Sequence, residues 1–302
     1  MGAEGVLKDE LAGAVPVEIS SEVIKNVARG SSILRLSKTE PMKTEKKKIP
    51  VMTDGVGAYW VGEGQRIKTS KAQWIFPELV AKKLAVIIPV TKEKLEDTIF
   101  DVFAELKEAI SEAFCVAIDA ACIFGTNSPF ATNIYQSAVD CGNQIVRGTN
   151  GTGKLDLDAS DAMALVEDAG MDVNGFCAHY GVKNDLRKLR DANGNALYVP
   201  ETDQNEFYSN PIEFSRNGAW DKTKAEIIVG DFDKSLVGIR DAIEYEILKE
   251  ATLQGTVDAD GKPISLAEQD MVAIKAIMRI GYLVVKDDAF AVLAPEAEGG
   301  NG

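Results

Sequence analysis

One histidine occurs in 302 residues. Ser-His or Cys-His nucleophilic chemistry needs an imidazole to take the proton, so it would have to run through His179. Cys177 lies two residues earlier in "GFCAHYG", a spacing that puts both side chains on one face of a strand. No cysteine-protease signature surrounds the pair, and packing residues of a short strand are the expectation. Cysteines are few as well: Cys115, Cys122, Cys141 and Cys177. None forms a C-x-x-C pair, which argues against a zinc ribbon or a disulfide framework and for reduced thiols. No stretch approaches the roughly 20 apolar residues of a membrane span. The opening "MGAEGVLKDELAGAV" lacks the basic start and apolar core of a secretory signal, so a cytoplasmic protein is the default expectation. Basic residues are outnumbered, 33 Lys and Arg against 47 Asp and Glu, for a formal net charge of −14. Tight nucleic-acid binding rests on Lys and Arg against phosphates; the acidic balance disfavours it and permits only loose proximity.

What is present is ordinary for a soluble globular chain of one or two domains: 45% hydrophobic and 26% charged residues. One stretch invites a sharper reading. In "GTNGTGKL", Gly148, Gly153 and Lys154 fit the phosphate-cradling pattern G-x-x-x-x-G-K. The next position should supply a hydroxyl for magnesium, and it is Leu155. A phosphate loop also needs a buried strand before it and a helix starting at the Lys, whereas the helix start is expected at Asp158, with a stop at Gly170. A flexible glycine connector between two structural units is the preferred reading.

Residues 16 to 36 read as a short amphipathic helix with Val23, Ile24 and Val27 on one face and Gly30 as its stop. From Ser37 to Phe76 the chain is charged and strand-like, interrupted at Asp54-Gly55 and Gly62-Glu63-Gly64, the turn chemistry of a long hairpin. Lys46-Lys47-Lys48 reads as a solvated face. Trp60 and Trp74 would be costly on such an arm in a monomer and make sense if the arm lies on another subunit. "LAVIIPV" is a strand in which Pro89 marks an edge or an early end. Thr91 is an N-cap candidate for a helix whose stripe is Leu95, Ile99, Val102, Phe103, Leu106, Ile110, Ala113, Phe114, Ala117 and Ala121, ended by Gly125. Its expected length is roughly 45 Å, and nothing catalytic lies on its apolar face. Residues 155 to 250 form a compact α/β piece. There Asp231 and Asp233 of "GDFD" read as a polar turn after a buried strand, since no third metal ligand lies nearby. From Gln254 a second hairpin tip, "QGTVDADGKP", leads into long terminal strands.

That order of elements resembles the major capsid proteins of tailed bacteriophages, with the Hong Kong 97 type fold shared by encapsulin compartments. The likeness rests on "PVEISSEVIKNV", on "AYWVGEGQRIKTSKAQW" with its Trp60-Val61 and Glu63-Gly64 core, on "AKKLAVIIPVTKEKLEDT", on "IIVGDF", and on "MVAIKAIMRIGYLVVKDDAFAVL". The resemblance implies an α+β capsid fold with an extended N-terminal arm and a hairpin arm, a long spine helix in a peripheral domain, and an α/β axial domain. The expected divisions are 1–36 for the N-terminal arm and short helix and 37–77 for the hairpin arm. The peripheral domain takes 78–140 and 251–302, and the axial domain 141–250.

The implied function is structural: self-assembly through hexamers and pentamers into an icosahedral shell enclosing double-stranded DNA. No catalytic, metal or cofactor-binding residue is expected, and no membrane partner. A separate scaffold protein and a portal are implied partners, since only fifteen residues precede Pro16, too few for a fused scaffolding segment. The expected location is the virion capsid, assembled in the host cytoplasm. Interface candidates are Trp60, Glu63, Gly64, Arg66, Lys68, Lys71 and Trp74 on the arm, and Asp258, Asp260 and Lys262 on the tip. Some relatives weld subunits through an arm Lys and a late Asn. Lys68 and Lys71 could supply the amine, but no Asn lies between Asp241 and Glu298, only Gln254 and Gln269, so a non-covalent shell is expected. An encapsulin-type compartment is the alternative, and a nucleotide enzyme using Gly148 to Lys154 a third.

Overall fold

In the computed structural model the chain is described at residues 30–54, 60–61, 63, 66, 73–92, 102–151, 153–191, 193–198, 205–257 and 261–296. In chain order the strands are β1 (Lys38–Pro41), β2 (Lys46–Lys48), β3 (Val51–Asp54), β4 (Gln73–Ile75), β5 (Glu78–Thr91), β6 (Gln144–Val146), β7 (Gly175–His179) and β8 (Glu206–Phe207). They continue with β9 (Asn210–Ser215), β10 (Ile227–Gly230), β11 (Ser235–Leu248), β12 (Thr252–Val257), β13 (Pro263–Ser265), β14 (Met271–Val284) and β15 (Phe290–Ala294). One sheet has the order β1-β11-β14-β5-β2 and another β6-β15-β10-β7-β9-β8; β12-β13 and β3-β4 are two-stranded.

The long helix Val102–Phe124 carries the strongest periodic signal in the sequence, and the structure shows why. Ile110, Phe114, Ile118 and Cys122 are buried in a single core that also takes in β10, β15 and the inner face of β14. The helix ends where expected. Gly125 adopts φ +69°, its N–H donates to the Ala121 carbonyl at 3.2 Å and the Thr126 N–H donates to that of Ala120 at 3.1 Å, a left-handed stop that a side chain would strain. A Cβ there would also lie 2.6 Å from Asn133 Nδ2. The described helix spans roughly 35 Å at 1.5 Å per residue. Thr91 closes β5, and residues 93–101, on which its reading as a helix cap depends, lie outside the described residues.

Three local readings are corrected. Gly30 is itself helical, and a new helix, Ser32–Leu36, follows at once because Ser31 caps it, its Oγ accepting from the Leu34 N–H at 3.2 Å. The helix expected from Asp158 begins three residues earlier, at Leu155, whose side chain is buried; it runs to Asp168, with Gly170 at φ +77° beyond it. Finally, β5 does not end early at Pro89 but continues to Thr91, with Pro89 opposite Ala273. Proline is tolerated there because β2 covers only the Glu78–Val80 end of β5, leaving Pro89 on an edge that no strand among the described residues covers.

The stretch read as arm divides in two. Lys38–Pro41 pairs in parallel with β11 and Lys46–Lys48 antiparallel with β5, whereas from Val51 the chain leaves the sheet. The lysine run forms the outer strand of the sheet. Lys46 and Lys48 sit 3.8 and 3.7 Å from Glu78, and Lys47 is 2.8 Å from Glu40, a charged edge of the kind that discourages stray pairing. Ser235–Leu248 pairs with β14 in the five-stranded sheet, while Phe290–Ala294 lies between β6 and β10 in the six-stranded one, so the chain crosses between the sheets on either side of residue 250.

Candidate assembly surfaces

The arm begins as a direct extension of the sheet. After β2 and β5 part, the Ile49 N–H donates to the Pro77 carbonyl at 3.0 Å, and β3 and β4 then pair with Val51 opposite Ile75 and Met52 opposite Trp74. Two strands alone have no face to bury, and the consequence is visible. Met52, Ile75 and Phe76 are exposed, Trp74 is 50% exposed, and Trp60 farther out is fully exposed at 105%. Glu63 and Arg66 are exposed too. Of the other candidates, Gly64, Lys68, Lys71, Asp258 and Asp260 lie outside the described residues, and Lys262 is exposed at the root of the tip formed by β12 and β13. The structure thus brings Trp74 together with Met52, Ile75 and Phe76 on one ribbon, neighbours that the sequence reading did not single out.

The glycine loop does cradle an anion, and the anion belongs to the protein. Gly148, Gly151 and Gly153 take positive φ, and the chain wraps the buried carboxylate of Asp158. That carboxylate accepts from the Gly148 N–H at 2.7 Å, the Asn150 N–H at 3.0 Å and Asn150 Nδ2 at 3.1 Å. The donors that a nucleotide phosphate would need are already engaged. Leu155, which broke the motif, is a core residue.

The other candidates fall into place as packing and turns. Cys177 is buried on β7, where desolvation pushes its thiol well above the ordinary range; a protonated, enclosed sulfur is no nucleophile. His179 Nδ1 accepts from the Gly181 N–H at 3.1 Å. Asp231 caps a short turn after β10, accepting from the Asp233 N–H at 3.1 Å and from Asn174 Nδ2 at 2.9 Å. Among the described residues no group of three or more His, Cys, Asp or Glu could hold a metal ion, and no helix is long and apolar enough to cross a membrane.

Sequence reasoning missed Asp119, a fully buried carboxylate on the long helix. Its Oδ1 accepts from Ser31 Oγ at 2.5 Å and the Ile33 N–H at 3.2 Å, and its Oδ2 from the Ser32 N–H at 3.0 Å and Asn217 Nδ2 at 2.7 Å. Burial pushes this carboxyl above the usual range while the four donors pull it back. The group fastens the start of the Ser32–Leu36 helix and the loop after β9 to the long helix. Each of its bonds is local and protein-made, so its chemistry is attachment.

A surface-borne apolar ribbon on a firmly anchored body, with the buried acids Asp119, Asp158 and Asp231 satisfied by the chain itself, is the layout of a building block. Known proteins agree. The phage capsid family model matches residues 12–294. The major capsid protein of Staphylococcus phage 80alpha is 36% identical over 296 residues, covering 96% of this chain and 87% of that one. Among solved structures, a chain from Microbacterium phage Oxtober96 superposes with a TM-score of 0.77 at 31% identity, covering 88% of this chain and 91% of that chain. One from Mycobacterium phage Adephagia gives 0.76 at 27% identity, with 98% and 95% covered. With the match running through both sheets, the long helix and the arm, the chain belongs to the phage capsid family, and its role is that of a structural shell protein.

Proposed function

We propose that this chain is the repeating unit of an icosahedral shell that encloses double-stranded DNA, built from hexamers and pentamers in which the arm of one copy lies on the next. The observation that carries this reading is the ribbon of Met52, Trp74, Ile75 and Phe76 with Trp60 beyond it, large apolar side chains held in water on two strands that cannot bury them. A contiguous apolar surface of this kind marks an interaction site. Weak contacts repeated around each copy sum to a closed, stable shell, and symmetry closes the lattice rather than letting it grow as a filament. The net charge of −14 keeps the wall from gripping the polyanion inside. The five-stranded sheet with the long helix forms the peripheral part and the six-stranded sheet the axial part. Trp60, Glu63, Gly64, Arg66, Lys68, Lys71 and Trp74 on the arm, with Asp258, Asp260 and Lys262 on the tip, make the contacts between copies. A scaffold protein and a portal are separate chains, assembly takes place in the host cytoplasm, and no step is catalytic.

Electron microscopy and sedimentation of the purified chain and of Trp60→Ala test the reading. Wild type should form closed shells with nuclease-protected DNA when made during infection, while Trp60→Ala stays a subunit with the wild-type melting temperature, because the loss falls on an interface. A Trp60→Ala subunit that no longer folds would put Trp60 in its own core and remove the basis of the proposal. Shells filled with protein in place of DNA would point to a cellular compartment instead.

A further inference from the structure

β5 is 14 residues long, yet β2 covers only Glu78–Val80 of it. On its other side β14 pairs without a register shift from Gly281 opposite Ala81 to Met271 opposite Thr91. In an antiparallel strand a residue's N–H and C=O point to the same side, and successive residues alternate. The Ala81 N–H donates to the Glu45 carbonyl, on the β2 side, at 2.8 Å, whereas the Lys92 N–H donates to the Asp270 carbonyl, on the β14 side, at 3.2 Å. Odd-numbered residues therefore turn their backbone to the uncovered side. Lys83, Ala85, Ile87 and Thr91 each present an N–H and a C=O there, and no strand among the described residues pairs with them. Pro89 is odd-numbered as well, so its missing N–H costs no ladder bond with β14.

The edge also has a pocket beneath it. Leu84, Val86 and Ile88 turn toward the main core, so a strand added beside β5 would direct alternate side chains to the same side. At the Lys82–Leu84 end of β5 a groove of about 980 Å³ opens beside the long helix, walled by Leu84, Ala113, Ala117 and Phe130. Lys82, Lys83 and Lys222 line it against a single carboxylate, Asp221. Backbone pairing with side-chain pockets at alternate positions is the physics of strand addition.

We infer that the Lys83–Thr91 edge of β5 accepts a strand from a second copy of this chain, extending the five-stranded sheet across the subunit boundary and seating an apolar side chain in the groove at the Lys83 end. The occupant follows from charge and from surroundings. A lysine-lined site on a chain of net charge −14 attracts another such chain, and in a shell each edge meets further copies. From Leu84 to Thr91 the edge is rich in β-branched residues, with Pro89 as its one guard and Lys82 and Lys83 only at its start, and it would be an aggregation hazard if left open. The inference rests on the shell-forming role proposed above.

Residue-resolved hydrogen exchange on free subunits and on shells tests it. The amides of Ala85, Ile87 and Thr91 should exchange at least about tenfold more slowly in shells than in subunits, while those of Leu84, Val86 and Ile88 are slow in both. Equal, fast exchange of the odd set in both states would overturn the inference. So would protection already present in free subunits, the result if the chain's own remaining residues cover the edge. Ala85→Pro provides the matching perturbation, since it removes one outward N–H and leaves the β14 ladder intact. Its subunit should melt within a few degrees of wild type while shell yield falls by at least about tenfold; normal yield from a normally melting subunit would refute the edge's role. Should that variant not fold, the exchange experiment on the unaltered chain still decides. In shells made from mixed isotope-light and isotope-heavy chains, a lysine cross-linker at Lys83 should join light to heavy peptides, and attachment only to another protein would overturn the choice of occupant. A wild-type chain that forms no shells sinks the functional proposal itself, whereas shells with a fast-exchanging edge sink this inference alone.

Discussion

Removing the Asp119 carboxylate tests whether the entry of the chain is fastened from within the long helix. In Asp119→Ala the N–H groups of Ser32 and Ile33 lose their acceptor inside a buried site, while Ser31 Oγ can rotate and still cap Leu34, and Asn217 retains its contact with Ser215. Two stranded backbone donors at about 1–3 kcal/mol each, less the relief of no longer burying a carboxyl, give a net loss of about 2–4 kcal/mol. For a chain of this size that lowers the melting temperature by about 3–6 °C. Asp119→Asn should cost less. Its oxygen can stand where Oδ2 does and still accept from the Ser32 N–H and Asn217 Nδ2, while its NH₂ donates to the Ser31 hydroxyl, which leaves only the Ile33 N–H unpaired, at about 1–2 kcal/mol. Thermal unfolding of the three subunits should therefore rank wild type above Asn above Ala. An alanine variant that melts with wild type would show that these donors find other partners and that Asp119 fastens nothing.

Phe114→Ala should cost about 3–5 kcal/mol through lost burial and a cavity, and an unchanged urea midpoint would remove the long helix from the core. Assembled particles boiled in denaturing detergent should run as one band near 32.5 kDa, because no Asn lies between Asp241 and Glu298 to accept an arm lysine; a ladder resistant to reductant would contradict this. Native subunits should take up a maleimide at Cys141 alone, since it is the exposed thiol, whereas burial holds Cys115 up at about 11 and Cys122 and Cys177 well above the usual range. Labelling at all four without denaturant would show that the core opens.

How much of this could be read in the residues depended on the range of the contact. The long helix was legible because a 3.6-residue stripe is a local pattern, and its glycine stop needs only the next residue. The arm was legible as charged strands bearing tryptophans that had nowhere to go. The pairing of β1 with β11 was not, since Lys38 meets Leu236 and no local pattern encodes so distant a parallel partner. At Gly148–Lys154 the loop cradles Asp158, which the sequence presents only as a helix start: an acidic residue early in a helix looks the same whether it caps or is itself cradled. Asp119 did leave a signal. It sits on the same face as Cys115 and Cys122, and a carboxylate on a buried face must be bonded to something. Reading the stripe by its apolar members alone passed over it.

The position of β15 bears on how the subunit comes into being. It lies between β6 and β10, every residue buried, yet it is made after every one of its sheet neighbours. At about 5–20 residues per second, β6 leaves the ribosome on the order of ten seconds before the strand that will pair with it. Through that interval β6 has no strand to pair with, and once β10 is made the sheet has a gap second from its edge, between β6 and β10. Folding of this half must therefore wait for the late strand to insert into its slot. Until that strand arrives the subunit is incompetent to assemble, so a partly made copy cannot enter a growing shell.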